Sequence, residues 1–399
     1  MSTSSADTVR HGKLARWTKL YRDAAVICFN FLILFILLNV FLYVVFSLRG
    51  PEPGTLGGKP PPISAEILAK LYPVLSPADR SQLLRECWTR PYVYQDYLMF
   101  KERPFRGKYV NVSEAGYRHV KNQGPWPPVS TNLNVFVFGG STAFGYGVED
   151  DQTIASHFQQ ALSGHSDKRV CVYNFGTGWY YSTQERLLFE KLLSDGFIPH
   201  VAVFVDGMND STCMYDSLAF SPKLGKLFEE ANYPGGLGGL AVSFIDKLPM
   251  GRAIRGARRR LARPAPGALE KAADEAVRKY RQNMVLIEAV CRQFSITPVF
   301  VWQPAPGYKY DLQFHLFPPL GCYRQYAYAY GDMAKLAAAD GLGSHFVWAA
   351  DLQENEKEHL YVDGVHYNGK LCRKVAERIV QTALQHQWFT PHGVKSAAP

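Results

Sequence analysis

Five runs of apolar residues recur along the chain, each six to eight residues long and each followed by a stretch with helical periodicity. They are NVFVFGG from Asn134, VCVYNFG (170–176), VAVFVDGM (201–208), TPVFVWQ (297–303) and HFVWAAD (345–351). Runs this uniformly apolar read as strands covered on both faces, because a half-exposed strand would alternate apolar with polar residues. Strands of that kind separated by helices pair in parallel, with helices on both sides of the sheet. The periodicity predicts those helices near 152–162, 183–194, 269–294, 322–339 and 370–387. In such a sheet ligands bind at the carboxyl ends of the strands.

The first run ends in Gly139-Gly140-Ser141-Thr142. Two glycines ahead of a serine let the backbone turn tightly and present both the hydroxyl and the main-chain N–H to a ligand. A cap on the next helix is the alternative use of Ser141 or Thr142. The second run ends in Asn174-Phe175-Gly176-Thr177-Gly178-Trp179 and the third in Asp206-Gly207-Met208-Asn209-Asp210, and a late loop reads Tyr361-Val362-Asp363-Gly364-Val365-His366-Tyr367-Asn368. Each alone is an ordinary turn. In the chain order Ser, Gly, Asn, Asp-x-x-His they supply what acyl transfer needs: a nucleophile, a base, a carboxylate to orient the base, and donors for an oxyanion.

With these four blocks the chain resembles the SGNH/GDSL hydrolases over about residues 134–385, through GGSTAFG, NFGTGWYYSTQE, DGMND and DGVHYN. The resemblance implies a flavodoxin-like three-layer α/β/α sandwich. It also implies that Ser141 attacks an ester carbonyl, His366 takes its proton and Asp363 orients His366. The oxyanion hole would combine the Ser141 N–H, a second-block N–H at Gly178 or Trp179, and the Asn209 side chain. One departure stands out, since the family's oxyanion glycine falls on Trp179. Any residue but proline can donate a main-chain N–H. The indole would narrow the acyl pocket toward acetyl or block it, form an aromatic platform for a sugar face, or pack under the loop.

Residues 24–48 carry no charge across 25 positions, with Asn30, Asn39 and Ser47 as the notably polar members. That is long enough to span a bilayer, too long for a signal-peptide core, and followed by no small-residue cleavage site. Arg10, Lys13, Arg16, Lys19 and Arg22 precede it against Asp7 and Asp23, and beyond it Arg49 alone is close. The positive-inside rule keeps residues 1–23 in the cytoplasm and places the rest outside it, in the periplasm of a Gram-negative cell. The expected organisation is a tail (1–23), a transmembrane anchor (24–48), a Gly/Pro linker and pre-domain (49–130) read as packing rather than as a site, and a catalytic domain (131–390). Residues 211–266 interrupt that domain as an insertion or lid, with six arginines between Arg252 and Arg263. Their basic face could meet anionic lipid, acidic polysaccharide or plain solvent.

The net charge of +9 is spread along the chain, and neither zinc-ligand spacing nor a basic-aromatic RNA signature occurs, which argues against nucleic acid and calls for no metal or cofactor. Seven cysteines without a CxxC pair make neither a disulfide framework nor a metal cluster; apart from Cys28 they could pair, in no readable order. The expected function is a membrane-anchored serine esterase acting on O-acyl groups of an extracytoplasmic glycan or lipid. Two alternatives use the same fold: an O-acyltransferase on a cell-surface polysaccharide, and a catalytically silent carbohydrate-binding or assembly module.

Overall fold

The computed structural model describes residues 4–48, 63–212, 248–261, 267–319 and 323–389. The linker and much of the expected insertion (213–247 and 262–266) lie outside the described residues. The chain divides into two units, residues 1–55 with 223–264, and residues 56–222 with 265–399.

The first unit contains α1 (Ser4–Leu48) and the helix Pro249–Leu261. From Arg16 to Leu48, α1 is long and apolar enough to cross a membrane, and its large apolar side chains are mostly exposed. The second helix packs on it. The Met250 N–H donates to Asn39 Oδ1 at 3.1 Å, the Asn39 amide donates to Phe35 O at 2.9 Å, and the Arg252 guanidinium lies 4.3 Å from the centre of the Phe46 ring. Asn39 is thus a satisfied polar group within the apolar segment.

The second unit opens with α2 (Ala65–Leu71) and α3 (Pro77–Trp88), each capped by the serine before it: Ser64 Oγ accepts from Ile67 N and Ser76 Oγ from Asp79 N. Two antiparallel hairpins follow, β1 (Val93–Gln95) with β2 (Met99–Lys101), and β3 (Phe105–Arg106) with β4 (Asn111–Val112). The Glu86 carboxylate of α3 accepts the main-chain N–H groups of Lys108, Tyr109 and Val110, which closes the second hairpin.

The main sheet has five parallel strands, β5 (Leu133–Gly139), β6 (Val170–Asn174), β7 (Val201–Asp206), β8 (Thr297–Trp302) and β9 (Phe346–Trp348), in the order β6-β5-β7-β8-β9. This is the flavodoxin-like order, and the fold is the expected three-layer sandwich. A short helix, α4 (Ser141–Phe144), leaves the end of β5. On one face of the sheet α5 (Ile154–Ser163) packs against the helix Gly369–Gln385. On the other lie α6 (Ser182–Ser194) and the helix Ala268–Phe294, with Tyr323–Ala338 packed on the latter. Phe138, Phe204 and Phe300 are register partners on adjacent strands and stack across the sheet, with centroids 4.9 and 5.7 Å apart. Connections leave β5 toward β6 on one side, while β7, β8 and β9 build out on the other. The crevice therefore opens beyond the ends of β5 and β7.

The pre-domain helices and hairpins share a core with the residues after β5. Tyr72, Leu83, Cys87, Tyr109, Val110 and Val112 cluster with Phe144, Tyr146 and Val362. Cys87, Cys171, Cys291 and Cys372 are buried free thiols and Cys28 is an exposed one; Cys213 and Cys322 lie outside the described residues.

Candidate active site

β5 ends at Gly139, whose φ of +154° and close packing against Ala143 admit no side chain. Ser141 then opens α4. Gly140 sits at the N-cap position without a side-chain cap, so Ser141 is not spent on capping. The Thr142 hydroxyl instead donates to Gln303 Oε1 at 2.6 Å.

The structure brings three distant residues into one hydrogen-bonded chain. His366 Nε2 lies 2.8 Å from Ser141 Oγ, and His366 Nδ1 lies 2.6 Å from Asp363 Oδ2. The other carboxylate oxygen, Asp363 Oδ1, accepts the main-chain N–H groups of Val365 (2.9 Å) and His366 (2.8 Å), which closes the Asp-x-x-His turn. Burial by itself would raise the Asp363 pKa, but the neighbouring His366 and these three donated hydrogen bonds hold it below the ordinary carboxylate value. A carboxylate kept ionised at Nδ1 holds the imidazole with Nε2 toward the serine.

The loop after β6 runs beside the glycine turn, with Thr177 N donating to Gly139 O at 2.9 Å. Tyr180 N returns to Thr177 O at 3.2 Å, closing a four-residue turn whose third residue is Trp179 at φ +70°. That place ordinarily takes glycine or asparagine. The tryptophan holds a glycine-like conformation, and it is 46% exposed, which removes the reading in which it packs under the loop. The expectation that Gly178 donates to an oxyanion needs correction. Its N–H points to the Glu102 carboxylate, 3.2 Å from Oε1, and a Cβ at this position would overlap the Tyr92 hydroxyl.

After β7, Asn209 lies on the short helix α7 (Met208–Thr212). Its amide donates to Tyr180 O at 2.6 Å and lies against Gly140, where a Cβ would overlap Nδ2. Asp210 accepts from the Ser182 hydroxyl at 2.6 Å and from Ser182 N at 3.3 Å, joining the second and third blocks. Behind them Glu185 and Asp206 are fully buried. Burial, then neighbouring carboxylates, raises both pKa values well above the carboxylate range.

Several residues of this site escape a reading by motif. Tyr146 stacks on His366 with centroids 5.4 Å apart and planes at 25°, and Trp88 meets the same imidazole edge-on at 6.0 Å. The Tyr146 hydroxyl donates to Glu102 Oε1 at 3.0 Å and lies 2.9 Å from the Tyr92 hydroxyl. Glu102 pairs through Oε2 with Arg90 at 3.1 Å, both charges being almost wholly buried. Arg118, with no exposed surface, bonds Asp150 at 2.9 Å and the carbonyls of Phe144, Gly145 and Val148. Phe144 lies between the guanidinium groups of Arg90 (4.8 Å) and Arg118 (4.9 Å). The segment expected only to pack therefore supplies much of the support around His366.

No family model and no curated relative matches the chain. Among solved structures it is similar to a protein assigned to the G-D-S-L lipolytic family from Desulfitobacterium hafniense DCB-2, at 10% identity over 63% of this chain and 99% of that one, TM-score 0.35. It is also similar to the acetyl xylan esterase AlAXEase (16%; 62% and 98%; TM-score 0.35) and to the lipase Lip_vut3 from a goat rumen metagenome (11%; 63% and 97%; TM-score 0.39). At these TM-scores the likenesses carry no weight of their own. The chemistry of this chain rests on its own residues, Ser141, His366 and Asp363 above all.

Proposed function

We propose that the chain is a serine ester hydrolase of the SGNH/GDSL type, held in a membrane by α1, that removes small O-acyl groups from an extracytoplasmic glycan or lipid. The observation that carries this reading is the Asp363–His366–Ser141 chain, with hydrogen bonds of 2.6 and 2.8 Å at the crevice beyond β5. Ser141 Oγ adds to the ester carbonyl while its proton passes to His366 Nε2, and the same proton then goes to the departing alcohol. Water opens the acyl-enzyme by the reverse path. The developing oxyanion would be met by the N–H groups of Ser141 and Trp179 and by the Asn209 amide.

The exposed Trp179 indole supports a sugar-bearing substrate, because an aromatic face at the mouth of the crevice suits the apolar face of a sugar ring. The excess of basic residues before Asp23 supports an extracytoplasmic catalytic unit. A membrane-impermeant fluorophosphonate tests the reading in one experiment. It should label intact spheroplasts carrying the protein and leave the Ser141→Ala variant unlabelled. Labelling of lysed cells alone would overturn the orientation, and equal labelling of the variant would overturn the nucleophile.

A further inference from the structure

The carboxylate of Glu102 is 1% exposed and lies in a segment with no recognisable motif, yet it touches both halves of the machinery. Oε1 accepts the Gly178 N–H at 3.2 Å, from the loop that carries Trp179, and the Tyr146 O–H at 3.0 Å. The Tyr146 ring in turn lies face to face with His366. On the other carboxylate oxygen, Oε2, Arg90 forms an ion pair at 3.1 Å that is almost wholly out of solvent.

We propose that Tyr146, held by Glu102, is a positioning residue for His366, its ring stabilising the imidazolium that forms as Ser141 gives up its proton. The inference deepens the esterase reading and rests on it. When the Oγ–H bond breaks and Oγ bonds the carbonyl carbon, the proton and its charge come to the imidazole ring. A cation over an aromatic face is attracted by the ring's electron density, and a phenol that donates to a carboxylate holds more density than a free one. The attraction is largest in the charged state and so lowers the barrier more than it tightens substrate binding. Among the described residues, the ionisable groups around this pair include Asp363 on the His366 loop, Glu102, Arg90, Tyr92, Tyr72 and Cys87 from residues 63–130, and Tyr323, which donates to Gly364 O at 2.6 Å with His315 beside it. Tyr72 is bound to Gly147 O at 2.7 Å. Burial raises the Tyr146 pKa far above its ordinary value, and the adjacent Glu102 adds to this, so the phenol keeps its proton and remains the donor.

The test uses full-length protein in detergent with p-nitrophenyl acetate. Tyr146→Phe keeps the ring, the Arg90–Glu102 pair and the Gly178 hydrogen bond, and removes only the hydroxyl. It should lower kcat by about 3- to 10-fold, leave KM within about two-fold, and move the acid limb of the kcat/KM profile down by about half a pH unit. Glu102→Gln should move the limb in the same direction. Active sites counted by fluorophosphonate normalise each rate to folded enzyme. An unchanged kcat and limb in Tyr146→Phe, beside an inactive Ser141→Ala, would overturn the inference and leave the esterase reading standing. A fall in labelled sites that accounts for the whole loss, with the limb fixed, would also overturn it. Full activity in Ser141→Ala would remove the esterase reading itself.

Discussion

Gly140 and the Asn209 amide are packed so closely that a single methyl group on Gly140 cannot be placed without moving the amide. The Gly140 backbone, at φ −77° and ψ −155°, lies outside the left-handed region, and an added Cβ would meet the Asn209 amide first and Tyr180 O next, at 3.0 Å. Gly140→Ala should therefore push Asn209 away from the oxyanion while leaving the fold intact. The expected result is a loss in kcat on the order of 10²-fold with little change in Tm. Full turnover would show that Asn209 does not serve the oxyanion.

Trp179 invites a paired comparison. Gly and Ala both delete the indole, but only Gly relieves a φ of +70°. Trp179→Gly should be more stable than Trp179→Ala by about 0.5 to 1 kcal/mol in chemical denaturation. Both should keep turnover of p-nitrophenyl acetate within a few-fold and lose it on acetylated polysaccharide. Equal loss on both substrates would place the indole at the acyl group rather than at a sugar.

The buried carboxyls give stability a pH dependence of definite sign. Burial first, and then neighbouring carboxylates (Asp210 beside Glu185, Glu185 and Asp210 beside Asp206), raise the folded pKa values of Asp206 and Glu185 above their unfolded values near 4. Their stabilising contribution is then full below about pH 4 and declines as pH rises toward the folded values. Asp363 works the other way, contributing above its unfolded pKa and losing that contribution as pH falls through its depressed folded value. Asp206→Asn should raise Tm at pH 8 relative to the parent, with the gain shrinking toward pH 5. A variant that melts lower at pH 8 and follows a parallel pH curve would contradict this.

Much of this architecture can be read without coordinates, for identifiable reasons. A parallel strand buried on both faces is a continuous apolar run, so β5, β6, β7 and β8 announce themselves, and the residues that end such strands must face the crevice. Ser141 and Asn209 are found that way, whereas Asp363 and His366 lie in a late loop and are found by their Asp-x-x-His spacing. Arg90, Glu102 and Arg118 are not, because a charged residue normally signals surface and their burial depends on partners 12 to 32 positions away or further. The hairpin strand Phe105–Arg106 is too short to show any period. The detour of the Gly178 N–H to Glu102 follows from the same unseen pair, since the loop motif gives no hint of a carboxylate beneath it. At Trp179, by contrast, the family's glycine is itself a signal of a left-handed backbone.

The hydrogen bond from Met250 N to Asn39 bears on how the protein should be handled. An enzyme tethered by a passive anchor can be cut loose, and removing residues 1–48 is the usual route to a soluble preparation. Here the cut would also strip the helix Pro249–Leu261 of its partner, leaving Met250 N–H to water and the ring beneath Arg252 gone. Such a truncated protein should exchange the amide hydrogens of that helix freely, whereas the intact chain in detergent should protect them.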